Sequence, residues 1–266
     1  MGSSNSKPQK GSSREKTRRQ RQQTQQTAAQ VSGPTGGPVM VPPPYRDAGG
    51  RPIGHMSYDL DKDTITRALD DMAAHHAQKN VTAKLVTVGG AVNTLYLQSR
   101  DTTHDVDFFL PDPQSPDHRA IHEAARHANR LVNGALGGEW LNNSTQLMMG
   151  RHVQHRLANE AFQQNTIVYD RVNHHGGLRI YAAPWSYAFC GKLNRLCTKN
   201  PRPYDIADSV VYLHEYLQST RQHKVGAKTV FKWCEEYGKN VTKAVLQNVD
   251  EAYYTKYGVR AIDWTA

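Results

Sequence analysis

This 266-residue chain has little of what several classes of protein depend on. Its three cysteines include no C-x-x-C pair, which disfavours a disulfide framework or a zinc site and predicts reduced, packed thiols. No apolar run approaches the ~20 residues that a membrane-spanning helix needs. There is also no apolar stretch near the N-terminus of the kind that secretory signals carry. These absences favour a cytoplasmic protein without membrane-spanning helices.

The distribution of charge and apolar residues predicts a tail. Hydrophobic residues make up only 38% of the chain, and the formal net charge is +9. Residues 1–21 hold seven of the basic side chains against a single Glu15, so +6 of that charge belongs to them. Residues 1–57 are rich in Ser, Gln, Gly and Pro, and they have almost no periodic apolar pattern. We therefore predict that residues 1–57 are disordered.

The start of this tail fits a lipidation signal. In MGSSNSK, Gly2 follows a removable Met1 and Ser6 occupies the required hydroxyl position. The first ten residues also resemble the membrane-anchoring start of Src-type tyrosine kinases. One myristoyl chain binds a bilayer with only about 10⁴ M⁻¹, and nearby basic residues add ~1 kcal/mol each on anionic lipid. We expect a cytoplasmic protein held peripherally on the anionic inner leaflet; the alternative is a solubilising tail or an expression-vector remnant.

A second short motif lies later in the tail. In VPPPY, Pro42, Pro43 and Tyr45 match the P-P-x-Y ligand of WW domains, which recognise a preformed polyproline II segment. A WW-domain protein is therefore a candidate partner. The alternative is a semi-rigid linker without a partner.

The apolar spacing after the tail predicts alternating helices and strands, and then helices alone. The first predicted helix starts at Asp61–Asp63 and ends at Asn80, and further helices cover 91–99, 117–135, 150–163, 184–198, 203–219 and 227–255. Predicted strands cover 84–88, 105–110, 166–169 and 178–182. This order favours an α+β or α/β fold, with a core over 58–183 and a helical region over 184–266.

Two aspartates on one predicted strand carry the functional hypothesis. Residues i and i+2 of a strand face the same side, so Asp105 and Asp107 project together. Two adjacent carboxylates in apolar surroundings favour either a proton or a cation between them, typically Mg²⁺ or Mn²⁺. Gly89 and Gly90, at a strand-to-helix junction, would let the backbone approach a phosphate. Metal ligands beside a phosphate cradle indicate nucleotidyl transfer.

These residues also carry a family resemblance. With Arg100, Thr102-Thr103 and Phe108-Phe109, the segment resembles the DNA polymerase β-type nucleotidyltransferase superfamily. More narrowly, it is similar to abortive-infection-type nucleotidyltransferase toxins and their minimal relatives. A later segment extends the resemblance over residues 84–217 and consists of Trp185-Ser186-Tyr187, Lys192-Leu193 and Asp205-Ile206-Ala207-Asp208.

The resemblance implies a small mixed sheet flanked by helices and a role for each matching residue. Asp105 and Asp107 would hold one or two Mg²⁺ or Mn²⁺ ions that bridge the triphosphate of an NTP. The nucleotide-binding set would comprise Gly89, Gly90, Arg100 and Thr103. Lys192 would contact a phosphate or orient a carboxylate, and Asp205 would complete the acidic cluster. The implied reaction transfers an NMP to a hydroxyl of RNA, protein or a small molecule.

Plainer interpretations of the second segment stay open. Lys192 and Asp205 on neighbouring helices would also fit a simple ion pair, and Asp208 would fit a surface or capping residue. The strand 178–182 has no acid where the superfamily usually has its third carboxylate, and Asp170 is a weak substitute. A member that lacks this ligand would be catalytically inactive and would act as a membrane-tethered interaction scaffold.

Overall fold

The structure is a computed structural model that describes residues 58–265, apart from 113, 116 and the side chain of Met148. It also describes one antiparallel pair of short strands before them, β1 (Val31–Ser32) and β2 (Pro38–Val39). The predictions for Gly2, Pro42, Pro43 and Tyr45 fall outside the described residues. Of the residues 1–57 that are predicted to be disordered, only this strand pair is described. Residues Met56–Ala266 form one compact unit.

Strands and helices alternate through the first two thirds of this unit. The strands are β3 (Leu60–Asp61), β4 (Thr82–Val88), β5 (Thr102–Thr103), β6 (Val106–Phe109), β7 (Leu141–Asn142), β8 (Ile167–Asn173), β9 (Gly176–Ala182), β10 (Val225–Gly226) and β11 (Ile262–Asp263). The helices are α1 (Lys62–Gln78), α2 (Gly90–Val92), α3 (Asp117–Leu131), α4 (Arg151–Gln164), α5 (Trp185–Leu196), α6 (Asp205–Thr220), α7 (Ala227–Glu236) and α8 (Lys243–Tyr257). A π-helical turn, Asn93–Leu97, continues α2, and a 3₁₀ turn covers Ser144–Met148.

Five of the strands form one mixed sheet in the order β7-β6-β4-β9-β8. The central strand β4 runs antiparallel to β6 and parallel to β9, while β8 is antiparallel to β9 and β7 is parallel to β6. The prediction of an α+β protein with a small mixed sheet is therefore confirmed at the level of fold class.

Helices cover both faces of the sheet because its strands alternate in the direction of their side chains. On one face, buried residues such as Leu85, Phe108 and Ile180 share a hydrophobic core with α1 and α3. On the other face, Val86 and Phe109 share a second core with the helices α4 to α8. Strand β6 thus contributes to both cores, and its odd-numbered residues face the C-terminal helices.

Two predicted helices differ clearly from the structure. The helix predicted over 117–135 ends at Leu131, where the N–H of Gly134 turns back to donate to the carbonyl of Asn129 at 2.8 Å. The helix predicted over 227–255 is two helices, α7 and α8. The break falls at Gly238, whose φ of +62° is a left-handed conformation that ends a helix. Among the described residues, no helix is long and apolar enough to cross a membrane.

Candidate active site

A cleft of about 740 Å³ lies between the sheet and the C-terminal helices. One wall is formed by the end of β4, the turn after it and the start of β6. The opposite wall is formed by α5, the start of α6 and the segment after α7. Carboxylates dominate the sheet wall, whereas the helical wall supplies the cations Lys192, Arg195, Arg202 and Lys239. The cleft is therefore electrically asymmetric, which suits a ligand that combines a divalent cation with phosphates.

Asp105 and Asp107 both line the sheet wall, as the sequence predicts. Asp107 lies in β6, paired in register with Val88 at the end of β4, and Asp105 immediately precedes the strand. Between and after them, Val106 and Phe108 are fully buried in the core on the other face of the sheet. The alternation of the strand thus places both carboxylates in the cleft.

The electrostatics of this pair favour a cation. Burial, and then the negative charge of Asp105, raise the pKa of Asp107 to about 7. A hydrogen bond from Asn142 and the charge of Arg202 act in the opposite direction and do not offset the increase. Asn142 of β7 also donates to Oδ2 of Asp105 at 3.3 Å. Two carboxylates in this setting hold a proton near neutral pH unless a cation replaces it.

The glycine pair forms a tight turn directly beside these carboxylates. Gly89 has φ +74° and ψ −139°, a backbone conformation that other residues adopt only under strain. A Cβ at Gly89 would lie 4.0 Å from Oδ2 of Asp107, and a Cβ at Gly90 would clash with the side chain of Thr103. The turn therefore requires glycine at both positions and brings bare backbone to the edge of the carboxylate pair.

Asp208 is the centre of a buried polar network, so the expectation of a surface or capping residue is wrong. Its carboxylate, only 2% exposed, accepts hydrogen bonds from Asn93 at 2.9 Å and from Nε and Nη2 of Arg100. Lys192 forms an ion pair with it at 2.7 Å. The tertiary contacts of α6 turn this residue toward α5 and the glycine turn, which the sequence of the helix alone does not reveal.

The ion pair between Lys192 and Asp205 is present. The Lys192 ammonium lies 3.1 Å from Oδ1 of Asp205, whose Oδ2 accepts the backbone N–H of Arg202 at 2.8 Å. Lys192 therefore bridges Asp205 and Asp208, and Asp205 is committed to the helical wall. Among the described residues, no group of three or more His, Cys, Asp or Glu side chains could hold a metal.

The two remaining members of the predicted nucleotide-binding set line the cleft as well. The guanidinium of Arg100 is bound to Asp208 and lies 3.6 Å from the centroid of the Tyr204 ring. The hydroxyl of Thr103 donates to the carbonyl of Asp105 at 3.2 Å. Both side chains thus organise the walls of the cleft. Asp170, by contrast, pairs with Arg179 at 2.7 Å and does not line the cleft.

Tyr212 joins the two walls and is a site residue that the sequence does not identify. Its buried hydroxyl donates to the carbonyl of Gly89 at 3.0 Å and also contacts Oδ1 of Asn93. Tyr204, Arg202 and Lys239 are further cleft residues that sequence reasoning misses. For Lys239, the Tyr-Gly-Lys-Asn run at 237–240, a signal for the end of a helix, could have separated it from the helical pattern around it.

The residues present fit a hard divalent cation. Mg²⁺ takes oxygen ligands and is commonly held by one or two carboxylates, with substrate phosphates and water completing its shell. Asp105 and Asp107 supply two carboxylates, and the helical wall offers cations where phosphates would lie. A site of this kind needs no third protein ligand in order to take a metal together with its nucleotide.

Comparisons of the chain with protein-family models, with curated proteins and with solved structures found no match. The geometry of the cleft and the motif resemblance over residues 84–217 therefore carry the functional assignment.

Proposed function

We propose that the protein is a metal-dependent nucleotidyltransferase that moves an NMP from an NTP to a hydroxyl acceptor on RNA, a protein or a small molecule. The observation that carries the proposal is the pairing of Asp105 and Asp107 beside the Gly89–Gly90 turn, across a cleft from a cationic wall. The spacing that resembles the DNA polymerase β-type superfamily supports the same assignment, including its fold.

The sheet wall would receive the metal and the reacting phosphate. Asp105 and Asp107 would hold Mg²⁺ or Mn²⁺, which when bound activates the acceptor hydroxyl and neutralises charge on the triphosphate. The backbone at Gly89, where a Cβ would lie 4.0 Å from Oδ2 of Asp107, is close enough to border that phosphate, and Gly90 follows it in the turn. In the reaction, the acceptor hydroxyl gives up its proton to solvent and its oxygen forms a bond to the α-phosphorus. The bond between that phosphorus and the oxygen bridging to the β-phosphate breaks, and pyrophosphate leaves.

The helical wall would stabilise the negative charge of the triphosphate. Lys192 is held in place by two carboxylates, so its ammonium needs little reorganisation to face a ligand. Asp208 fixes Arg100 and Lys192 together and is a positioning residue in this scheme. Tyr212 holds the glycine turn against the same network.

Titration calorimetry of the full chain tests the proposal. Each NTP is titrated with and without Mg²⁺ or Mn²⁺ into the wild type and into the Asp105→Asn/Asp107→Asn variant. We expect metal-dependent binding that the double variant loses. Asp63→Asn/Asp71→Asn makes the same change of charge on α1, outside the cleft, and should bind as the wild type does. Release of pyrophosphate on addition of RNA, protein or small-molecule acceptors then tests catalysis.

One observation favours a second candidate, the catalytically inactive scaffold. Strand β9 lies beside β4 but contains no acid, and Asp170 is engaged by Arg179 instead of facing the cleft. Loss of a third carboxylate would leave a fold that binds nucleotide without transferring it. NTP binding without pyrophosphate release from any acceptor would support this candidate, and absence of NTP binding would reject the enzyme.

For either function we propose that the tail places the protein on the cytoplasmic face of a membrane. The proposal rests on Gly2 within its acylation pattern and on the basic residues up to Arg21. Flotation with vesicles that contain anionic lipid should retain the acylated chain, and Gly2→Ala should release it. Pro42, Pro43 and Tyr45 would recruit a WW-domain protein, which Tyr45→Ala should abolish in a pull-down.

A further inference from the structure

The cleft contains a cation, Lys239, that the proposed roles leave unused. It follows α7 at the turn where the chain breaks before α8. Its N–H donates to the carbonyl of Cys234 at 2.7 Å, and the next N–H, of Asn240, donates to Oδ1 of Asn194 on α5 at 2.8 Å. The backbone on both sides of Lys239 is thereby tied down, which fixes the origin of its side chain at the cleft.

The side chain of Lys239 extends toward a pair of packed tyrosine rings. Its ammonium lies 5.6 Å from the centroid of the Tyr187 ring, and Tyr187 also lines the cleft. Tyr187 in turn packs edge-on against Tyr237, at 5.3 Å between ring centroids. Lys239 therefore lines the cleft beside Tyr187.

Lys239 differs from the inner cations in its electrostatic partners. Arg100 and Lys192 are each bound to buried aspartates. Within the part of the chain that the structure describes, no carboxylate forms an ion pair with Lys239, and burial lowers the pKa of its ammonium. A half-buried cation without an anion costs solvation free energy, and an anionic ligand restores it.

We propose that Lys239 binds the β- and γ-phosphates of the nucleoside triphosphate, the part that leaves as pyrophosphate. The inference rests on the proposed function, because it takes the α-phosphate to lie at Asp105 and Asp107. The β- and γ-phosphates carry most of the charge of the triphosphate. Among the cleft cations that form no ion pair with a carboxylate of the described residues, Lys239 is half-buried, whereas Arg195 and Arg202 are exposed. Lys239 would thus distinguish triphosphates from monophosphates.

Calorimetry that varies both the side chain at position 239 and the number of phosphates on the nucleotide tests this assignment. Calorimetry in Mg²⁺ compares NTP, NDP and NMP on the wild type, Lys239→Met, Lys239→Gln and Lys239→Arg. A hydrogen bond between charged groups corresponds to roughly a 10- to 100-fold change in affinity. We expect that loss for NTP in the Met and Gln variants, little change for NMP, and recovery in the Arg variant. Lys228→Met, an exposed lysine on α7, is the matched control.

Each outcome separates this inference from the proposed function. If the wild type binds NTP and both neutral variants bind it equally well, the role of Lys239 is wrong and the proposed function stands. Equal losses for NTP and NMP at an unchanged melting temperature would also overturn the role, since they place Lys239 elsewhere in the site. If the wild type binds no nucleotide with any metal, the proposed function fails and the inference fails with it.

Discussion

The two aspartates of the sheet wall and the two at the start of α6 differ in what surrounds them. On the sheet wall, the pKa of Asp107 is raised by burial and by the negative charge of Asp105. On the helical wall, Asp205 and Asp208 are more deeply buried, but each accepts bonds from cations of the same chain. The same type of side chain is therefore stabilised within the protein on one wall, while the other wall favours an added cation.

This difference separates structural charge from functional charge. Asp208 joins Arg100, Lys192 and Asn93, which come from three separate segments of the chain, so its contacts serve the architecture of the cleft. Asp107, by contrast, has a pKa that burial and the negative charge of Asp105 raise to about 7. Strained electrostatics of that kind are typical of a site that binds a ligand.

The largest effect on stability should come from removing the carboxylate of Asp208. Asp208→Leu leaves Arg100 and Lys192 buried with one fewer anion, and the loss of a buried ion-pair partner costs about 3–5 kcal/mol of unfolding free energy. Urea denaturation would measure it. Asp170→Leu, which removes a half-exposed ion pair with Arg179, should cost about 0–1 kcal/mol. Similar losses in the two variants would contradict the central role of Asp208.

The next largest effect on stability should come from removing the charge of Asp107 beside Asp105, and it depends on pH. The folded-state pKa of Asp107 is raised from 3.8 to about 7, so its contribution to stability is fully present below pH 3.8 and is lost as the pH rises through about 7. At pH 8, Asp107→Asn should therefore have a higher free energy of unfolding than the wild type, by on the order of 2–4 kcal/mol, and a higher denaturation midpoint. Near pH 4 the two proteins should be similar. A variant less stable than the wild type at pH 8 would refute the raised pKa.

A metal should act on the same pair without a mutation. Mg²⁺ or Mn²⁺ at the carboxylates would replace the unfavourable repulsion with ligation, so it should raise the melting temperature of the wild type at pH 8. At pH 5 the gain should shrink, because protons compete for the ligands. Differential scanning fluorimetry would follow both conditions. An equal shift in Asp105→Asn/Asp107→Asn would place the metal elsewhere.

The smallest effect should come from loosening the link between the walls. Tyr212→Phe removes the hydroxyl that bonds the Gly89 carbonyl and costs about 1–2 kcal/mol of unfolding free energy. Tyr169→Phe removes a comparable bond to Asp70, at 2.7 Å and away from the cleft. The two variants should lose similar stability, but only Tyr212→Phe should weaken NTP binding in calorimetry. Equal NTP affinity in both variants would show that the turn needs no support from α6.

The part of the site that is predictable from sequence follows from local geometry. The period of two in a strand places Asp105 and Asp107 together, and a glycine pair after a strand marks the turn at Gly89. These features need only a few consecutive residues. The mixed sheet also follows at the level of class, because alternating strand and helix patterns precede a region whose pattern is helical. The short parallel pair β10 and β11 in that region is not predicted, since two-residue strands leave no periodic pattern.

The rest depends on contacts between distant segments. The burial of Asp208 is decided by which face of α6 meets α5 and the π-helical turn, and the helix sequence alone gives no sign of it. Lys239 is missed because apolar residues on both sides of Gly238 continue the helical pattern, so 227–255 looks like one helix. The one residue that ends α7 is also what brings a lysine into the cleft.

The contact between Gly90 and Thr103 has a consequence for how this chain can evolve. Any Cβ at position 90 would meet the Thr103 hydroxyl and lie 2.9 Å from Thr103 Cβ, so replacing Thr103 by Ser or Ala would not make enough room. Only glycine at position 103 removes both atoms. We therefore expect position 90 to be closed to single substitutions, and related chains that have lost this glycine should have changed position 103 as well.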